Sequence, residues 1–440
     1  MSNRQKVPCL ILGGGVSGLG AAYRLFKAQK DFALLEKNAD LGGILGSCQL
    51  GGITFDRGAA SLVKHPFLAE LIQDLDLEAE VLYASAAGKK RYIYRNRDLH
   101  EVKPHPLHFL MKNSLLSWSA KFRALKEPWV QKSDENKHQS VAAFMRHRFG
   151  SELTELMVKP VLGGIYAGDA EKMEMRSAIP KIWEMEQKYG SLIKALSKNK
   201  APKREVVNFK GGNMRLVSAL AKRMEKHIFT DTAVEGIEYK GGFFEVKVMQ
   251  HGKPLTYVTE KLISTLPAYI AAGLFEKMSP DLSAVLQSFE YAPVMQLYLV
   301  YPEKAVSRPL DSFGYLIPPI EKQPYLGALW NTAVFPQNSE KGKYGFTLFL
   351  GGALQGNILA KKPEKCMHQA RMAFEQTMGI GQAPVAMDYY FWKKGIPQYE
   401  LGHQEKAKRI QAILPKFPGL QLSGNYLKGV AVTDCLAAEH

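Results

Sequence analysis

The sequence predicts an α/β fold in three parts: a parallel sheet flanked by helices, a second domain on a mixed sheet, and an inserted helical domain. Three observations carry this. Residues 7–43 read strand, glycine-rich turn, helix, strand, acid and glycine pair. Pro104 to Ser191 is mostly helical in pattern. Strands that fit the first sheet come from both ends of the chain and from its middle, so the other elements are insertions between them.

The opening stretch sets the chemistry. Cys9 to Leu12 is a short apolar run of strand type, followed by Gly13, Gly15 and Gly18 as G-x-G-x-x-G. Leu19 to Gln29 is a helix, with Leu19, Ala22, Tyr23 and Phe26 at three- and four-residue spacing. Phe32 to Leu35 is a second strand, closed by Glu36. These residue types suit a dinucleotide. Gly13 makes the tight turn, Gly15 lets backbone lie against a pyrophosphate, and Gly18 lets the helix pack close to the strand. The helix start offers unpaired N–H groups and a partial positive charge to phosphates. Glu36 lies 36 − 18 = 18 residues past Gly18, where an acid accepts hydrogen bonds from ribose hydroxyls. Alone, the glycine spacing is equally that of a ligand-free turn; the flanking strands, helix and acid argue against that reading.

Composition sets bounds. At 440 residues, 46% hydrophobic and 23% charged, the chain can bury a sizeable core across two or three domains. No run reaches eighteen uninterrupted apolar residues, so no transmembrane helix is predicted. Met1 to Lys6 leads straight into the first strand, and no signal peptide is expected. Cys9, Cys48, Cys366 and Cys435 form no metal-type cluster; they read as reduced and structural, in a cytoplasmic setting. The net charge of +16 favours acidic partners, such as carboxylate-bearing substrates or an anionic membrane surface. No nucleic-acid motif accompanies it, so no nucleic-acid partner is expected, and a plain basic surface accounts for the charge equally well.

Along the rest of the chain, Ile53 to Asp56 is an alternating strand before the small-residue turn Arg57-Gly58-Ala59-Ala60-Ser61. Phe67 to Leu75 is an amphipathic helix, and Arg91 to Tyr94 with Leu99 to Val102 a hairpin turned at Asn96-Arg97-Asp98. Glu127-Pro128 breaks the helical region. Leu162 to Asp169 is neither helix nor plain strand; its three glycines around an aromatic suit close contact with something flat, or a helix-to-helix connector. Lys194 to Arg204 is a basic surface loop. Ala233 to Ile237, Phe243 to Met249 and Tyr257 to Ser264 are a meander, whose end, Leu262 to Pro267, returns to the first sheet. Val294 to Val300, Gly314 to Ile317, Leu326 to Trp330 and Phe346 to Leu350 are strands of one mixed sheet, and Val385 to Trp392 is a further strand. Pro363 to Met378 and Gln404 to Leu414 are helices, and Leu420 to Ser423 is the last strand.

Several stretches carry a resemblance. Gly42-Gly43 after the ribose acid resembles the second glycine pair of glutathione-reductase-like flavoproteins, which implies FAD rather than NAD. Glu127-Pro128, Ser140 to Gly150, G-I-Y-A-G-D at Gly164 to Asp169, Y-G-S-L-I at Tyr189 to Ile193, F-G-Y-L-I-P at Phe313 to Pro318, I-P-Q-Y-E-L-G-H at Ile396 to His403 and G-V-A-V-T-D-C at Gly429 to Cys435 resemble the protoporphyrinogen oxidase family, in its order and spacing. G-I-Y-A-G-D and I-P-Q-Y-x-L-G-H are the most specific of these.

The resemblance implies an FAD domain over 1–80, 200–275 and 385–440, a substrate domain over 81–103 and 276–384, and a helical, membrane-docking domain over 104–199. It implies cofactor contacts at Gly13, Gly14, Gly15, Val16, Ser17, Gly18, Glu36, Lys37, Gly42, Gly43, Ile44, Gly58, Ala59, Ala60, Ser61, Val234 (beside the adenine), Trp392, Gly429, Val430, Ala431 and Val432. It places the macrocycle against Phe313, Leu316 and Phe349, with Gly164 and Gly314 leaving room. It implies dehydrogenation of protoporphyrinogen IX, with O2 reoxidising the flavin, on the inner face of the cell membrane, with handover to ferrochelatase and a homodimer as further expectations. No catalytic base and no metal is named, because hydride transfer to flavin asks for position and exclusion of water; His403, ahead of a helix, suits a structural hydrogen bond.

The chain also departs from the family. The arginine that anchors a propionate has no counterpart near Leu107, and Lys103, His105 or His108 are the stand-ins. Ile44 replaces a basic or large residue, and little chain follows Cys435. Coproporphyrinogen III is the near rival as substrate. An amine oxidase or carotenoid desaturase, and a flavin-binding carrier of a haem precursor that does not oxidise it, are the other readings.

Overall fold

The computed structural model describes residues 4–102, 114–134, 138–198 and 205–438. Its first sheet is five-stranded and parallel, in the order Ile228–Phe229, Ala33–Leu35, Cys9–Leu12, Lys261–Ser264, Leu420–Leu422. Its three central strands are short, largely apolar runs buried on both faces, as a sheet covered on each side requires. Cys9 and Ile11 face one core, with the helix Val16–Lys27 and the helix Met214–Arg223. Leu10 and Leu12 face the other, with the meander and the helices Ala268–Phe275 and Pro280–Gln287.

The meander Thr232–Lys240, Phe243–Gln250, Lys253–Thr259 turns at Gly241-Gly242 and His251-Gly252, where positive φ at both positions matches a tight two-residue hairpin. The run read as one strand to Ser264 divides at Glu260: Lys253–Thr259 stays in the meander and Lys261–Ser264 joins the parallel sheet.

The second large sheet has seven strands in the order Ala386–Pro397, Tyr291–Pro302, Lys343–Gly351, Gly327–Trp330, Gly314–Leu316, Tyr92–Arg95, Asp98–Glu101. One face buries Met295, Leu297, Leu299, Phe346 and Leu348 with Phe374 of the helix Pro363–Met378. On the other face Tyr298 and Val300 meet Ile53 and Phe55 of the hairpin Gly46–Leu50/Ile53–Arg57.

Two further sequence expectations change. Gly163, Gly164 and Ile165 lie inside a helix, Lys159–Tyr166, which ends at Ala167 in the left-handed region, φ 48°. Neighbour packing overrides the low helix propensity of glycine there. Lys194 to Lys198 belongs to the helix Leu192–Lys198 rather than to a loop, and 199–204 lie outside the described residues. Val206–Phe209, which has no clear alternation, is the central strand of a small sheet with Leu62–Val63 and Val81–Tyr83. Among the described residues no helix is long and apolar enough to cross a membrane.

Candidate functional site

The glycine-rich turn is built by close approach. A Cβ on Gly18 would lie 1.9 Å from the Gly13 carbonyl oxygen, and Gly13 itself has φ 102°. Only glycine fits either place. Gly14 N–H donates to Glu36 Oε2 at 2.8 Å, and the other carboxylate oxygen accepts from Asn38 N and Nδ2 at 2.9 Å. Glu36 is thereby fixed at its strand end with acceptor capacity to spare. Gly42 N–H donates to Gly14 O at 2.9 Å, so the two glycine pairs lie side by side. A Cβ on Gly43 would sit 3.2 Å from Gly15 Cα, and both glycines keep some exposure while Gly14, Val16, Ser17 and Gly18 are buried. The result is a bare backbone cradle at a helix start, the form a diphosphate needs. Lys37 and Ile44 are exposed beside it.

The turn 58–61 continues the cradle. Gly58 is held twice by Gln296, whose Oε1 accepts from Gly58 N–H at 2.9 Å and whose Nε2 donates to Gly58 O at 3.0 Å. Asn213 Nδ2 donates to Ala59 O at 2.9 Å and Asn208 Nδ2 to Ala60 O at 2.9 Å. Behind them Asp56, 3% exposed, accepts from Ser47 Oγ at 2.6 Å, Asn208 Nδ2 at 2.7 Å and Asn213 N–H at 2.7 Å. Burial raises the Asp56 carboxyl above its ordinary range although these donors pull it down. Ser61 is half-buried at the end of the turn. Arg57 stacks 4.9 Å over Tyr390, and its Nε finds no hydrogen-bond partner among the described residues. A buried unsatisfied donor at the edge of a bare backbone cradle fits an anionic, polar cofactor.

Gly429, Val430 and Ala431 lead into the helix Val432–Ala437, which packs on Val16–Lys27. A Cβ on Gly20 would lie 2.4 Å from Leu436 O, and Arg24 Nη2 donates to that oxygen at 3.0 Å, so the short C-terminal helix is pinned despite its length. Trp392 is half-buried next to Tyr390, ring centroids 4.4 Å apart. Val234, half-buried, sits at a bulge in the meander.

On the seven-stranded sheet, Phe313, Leu316 and Phe349 are half-exposed in otherwise buried runs. The room that two glycines were expected to leave is taken by the protein: a Cβ on Gly164 would meet Leu316 Cδ2 at 2.7 Å, and one on Gly314 would meet Ala328 O at 2.0 Å. Gly164 therefore brings the helix Lys159–Tyr166 onto Leu316, and Gly314, φ 138°, brings two strands together.

Sequence reasoning missed Gln296, which clasps Gly58, and Arg91. Arg91 places its guanidinium 3.9 Å from the centroid of Phe313. Burial lowers it to about 10, still charged at neutral pH. Its proximity depends on the parallel pairing of Gly314–Leu316 with Tyr92–Arg95, which no local pattern announces. Lys103, His105 and His108 lie outside the described residues. His403 is buried, stacks 4.1 Å from Tyr399 and bonds Tyr426 O through Nε2 at 2.8 Å; burial lowers its pKa and keeps it neutral.

Comparison with known proteins agrees with this geometry. Protoporphyrinogen oxidase 2, chloroplastic/mitochondrial, of Arabidopsis thaliana is 26% identical over 97% of this chain and 91% of its own length. Coproporphyrinogen III oxidase of Bacillus subtilis (strain 168) is 26% identical over 97% of this chain and 95% of its own. A crystal structure named "Putative protoporphyrinogen oxidase" from Exiguobacterium sp. 255-15 superposes with a TM-score of 0.82 at 22% identity, over 99% of this chain and 97% of that one. The model of the family described as flavin containing amine oxidoreductase matches residues 16–438. With its paired-glycine cradle, its acid and that match along nearly its whole length, the chain belongs to the flavin-containing amine oxidoreductases and is an FAD-dependent oxidoreductase.

Proposed function

We propose that this enzyme oxidises protoporphyrinogen IX to protoporphyrin IX with O2 as electron acceptor, in haem biosynthesis. The observation that carries the reading is Arg91 on Phe313, beside the half-open apolar residues Leu316 and Phe349. A porphyrinogen is a wide apolar ring with carboxylates on its rim, so it needs flat walls and a cation at their edge. The names of the plant and Bacillus relatives support a porphyrinogen.

FAD held on the cradle of Gly13 to Gly18, Glu36 and Gly42-Gly43 would supply a two-electron hydride acceptor that O2 can reoxidise with release of peroxide, and three such rounds would account for the six electrons between porphyrinogen and porphyrin. The chain's own part is to hold and enclose. Phe313, Leu316 and Phe349 would bear on the ring, and Arg91 would pair with a propionate. The clasped turn 58–61 would keep the cofactor in register with that wall, and its apolar surroundings would exclude water.

Coproporphyrinogen III is the second reading, favoured by the equal similarity of the Bacillus relative. Among the described residues one cation, Arg91, lies over Phe313, which suits the substrate with fewer carboxylates. Full-length protein reconstituted with FAD, given each porphyrinogen under air, tests the choice by porphyrin fluorescence and peroxide. Turnover of protoporphyrinogen IX alone or preferentially is expected. Preference for coproporphyrinogen III would reverse the order, and turnover of neither would leave a flavin-binding carrier.

We also infer a peripheral seat on the inner face of the cell membrane. Trp118 and Phe122, four residues apart on the helix Trp118–Leu125, are 64% and 62% exposed, and Trp129 is 82% exposed. Exposed tryptophans beside lysines suit a membrane interface. A lipid-side seat would favour handover to ferrochelatase.

A further inference from the structure

Gln296 is 1% exposed on the strand Tyr291–Pro302, and the hydrogen bonds of its amide run to the backbone of one residue, Gly58, and to one tyrosine. Its neighbours in the ladder are Tyr390 on one side and Phe349 on the other. Phe349 stands opposite Gly327, and Gly327 opposite Leu316. Directly opposed residues of antiparallel strands share a face. Tyr390, Gln296, Phe349, Gly327 and Leu316 therefore form one row across the sheet.

One end of this row, through Gln296, grips Gly58 by both its N–H and its C=O. The other end is the apolar wall at Leu316 and Phe349. Tyr298, two residues along and on the same face, donates to Gln296 Oε1 at 3.0 Å. Burial holds the Tyr298 phenol far above its usual range, so it stays a donor. A buried glutamine costs desolvation that an aliphatic side chain would avoid. Here it makes the join between two sheets directional, because an amide pairs with a peptide in one register only.

We propose that Gln296, oriented by Tyr298, is a positioning residue of the FAD-dependent reaction: it fixes the turn 58–61 against the substrate sheet, so that cofactor platform and substrate wall move as one body. The inference rests on the flavin alone, whichever porphyrinogen is used.

The test uses the full chain with Gln296→Leu, Gln296→Glu and Tyr298→Phe. The leucine variant keeps the volume and loses both bonds. Its Kd for FAD should rise roughly tenfold, the factor one lost buried hydrogen bond carries. Its bound-flavin absorption should lose fine structure. Anaerobic flavin reduction by porphyrinogen should slow about tenfold, with half-saturation unchanged, as mispositioning predicts. Gln296→Glu keeps the acceptor for Gly58 N–H but sets an oxygen against Gly58 O, and should shift the spectrum in between. Tyr298→Phe should shift it least. Folded Gln296→Leu protein with wild-type FAD affinity and spectrum would overturn the proposal. If that variant does not fold, unchanged affinity and spectrum in both other variants would overturn it equally. The flavin readouts need no substrate, so inert wild-type protein would count against the porphyrinogen reading and leave this one decided by affinity and spectrum.

Discussion

The guanidinium of Arg91 lies face-on to Phe313, 3.9 Å from the ring centroid, and its Nη1 donates to the neighbouring Lys90 carbonyl at 2.9 Å. A cation over a ring is held in place by the ring's quadrupole, and a planar guanidinium can still present its remaining donors in a fork. Replacing Arg91 by Met should raise KM for the porphyrinogen roughly tenfold, as the loss of one charge-assisted hydrogen bond would. The turnover number should change by less than about threefold, because no interaction unique to the transition state is removed. Arg91→Lys should recover part of the loss. An unchanged KM in both variants would place carboxylate recognition elsewhere.

Gly18 faces the tightest approach in the cradle. An alanine there needs the Gly13 carbonyl to move out of a 1.9 Å overlap, which means moving the turn that receives the diphosphate. Gly18→Ala protein should be isolated colourless, or should hold FAD too weakly to survive gel filtration. Glu36→Ala is milder. It frees the Gly14 and Asn38 donors, and its FAD Kd should rise about ten- to hundredfold, the range of one or two buried hydrogen bonds. Absorbance at the flavin band after desalting reads both.

Four strands of the parallel sheet were readable because they are short apolar runs and the turn has a mechanism for each glycine; the two-residue edge strand Ile228–Phe229 is too short to show a pattern. The meander was readable for the same local reasons: alternation and two glycine turns. The most specific motifs read differently once folded. Gln398 Nε2 donates to Tyr166 O at 3.0 Å, and Tyr399 O accepts from Glu174 N–H at 2.7 Å, so G-I-Y-A-G-D and I-P-Q-Y-E-L-G-H are the two halves of one joint. They fasten the helical part to the sheet. Arg91 and Gln296 stayed hidden because each acquires its partner only through strand pairing or domain contact. Their sequence distances from Phe313 and Gly58 carry no period.

Another set of motifs meets around a buried ion pair, and it gives a pH prediction. Glu127 of E-P, Arg148 of the 140–150 stretch and Ser191 to Ile193 of Y-G-S-L-I converge with both charges fully buried. Arg148 Nε donates to Glu127 Oε1 at 2.8 Å, and Leu192 N–H and Ile193 N–H donate to the carboxylate at 2.9 and 3.1 Å. Burial alone would raise the Glu127 carboxyl, but the Ser191 hydroxyl, these two N–H groups and Arg148 outweigh it and hold it below 4.5. A carboxyl depressed in the folded state stabilises fully above its unfolded pKa and loses that contribution as pH falls through the folded one. The part of the stability that Glu127 supplies should therefore be constant above about pH 5 and fall below about pH 4.5, on top of a decline from about pH 6.5 that comes from His403, held neutral by burial. Glu174 is depressed in the same way, with Ser177 and His138 as side-chain partners, and adds to the same slope. Glu127→Gln leaves Arg148 its second buried carboxylate, Glu186 at 3.4 Å, so it should lower stability at pH 7 by about 1.5–3 kcal/mol, the range of a hydrogen bond to a charged group, and flatten the acid limb. A variant with the wild-type melting curve at both pH values would show the pair to be replaceable.

Among the described residues Trp129 is the most open of the large apolar side chains, at 82%, and lies just past the helix that exposes Trp118 and Phe122. Lys121 stacks 4.5 Å over Trp118 within the same patch. Burying an indole in the headgroup boundary gains about 2 kcal/mol, and each nearby cation adds about 1 kcal/mol on anionic lipid. Three aromatics together should thus partition the protein onto vesicles of anionic phospholipid, more weakly as salt rises. Trp129→Glu removes one indole and adds a repelled charge, so vesicle affinity should fall at least about tenfold, while the FAD spectrum and turnover of porphyrinogen in detergent stay as in the wild type. Sedimentation with vesicles at two salt concentrations reads the first effect and fluorescence the second. If wild-type protein and Trp129→Glu remain alike in the supernatant, the patch serves another surface. Lost turnover in detergent would instead tie Trp129 to the folding of the helical part.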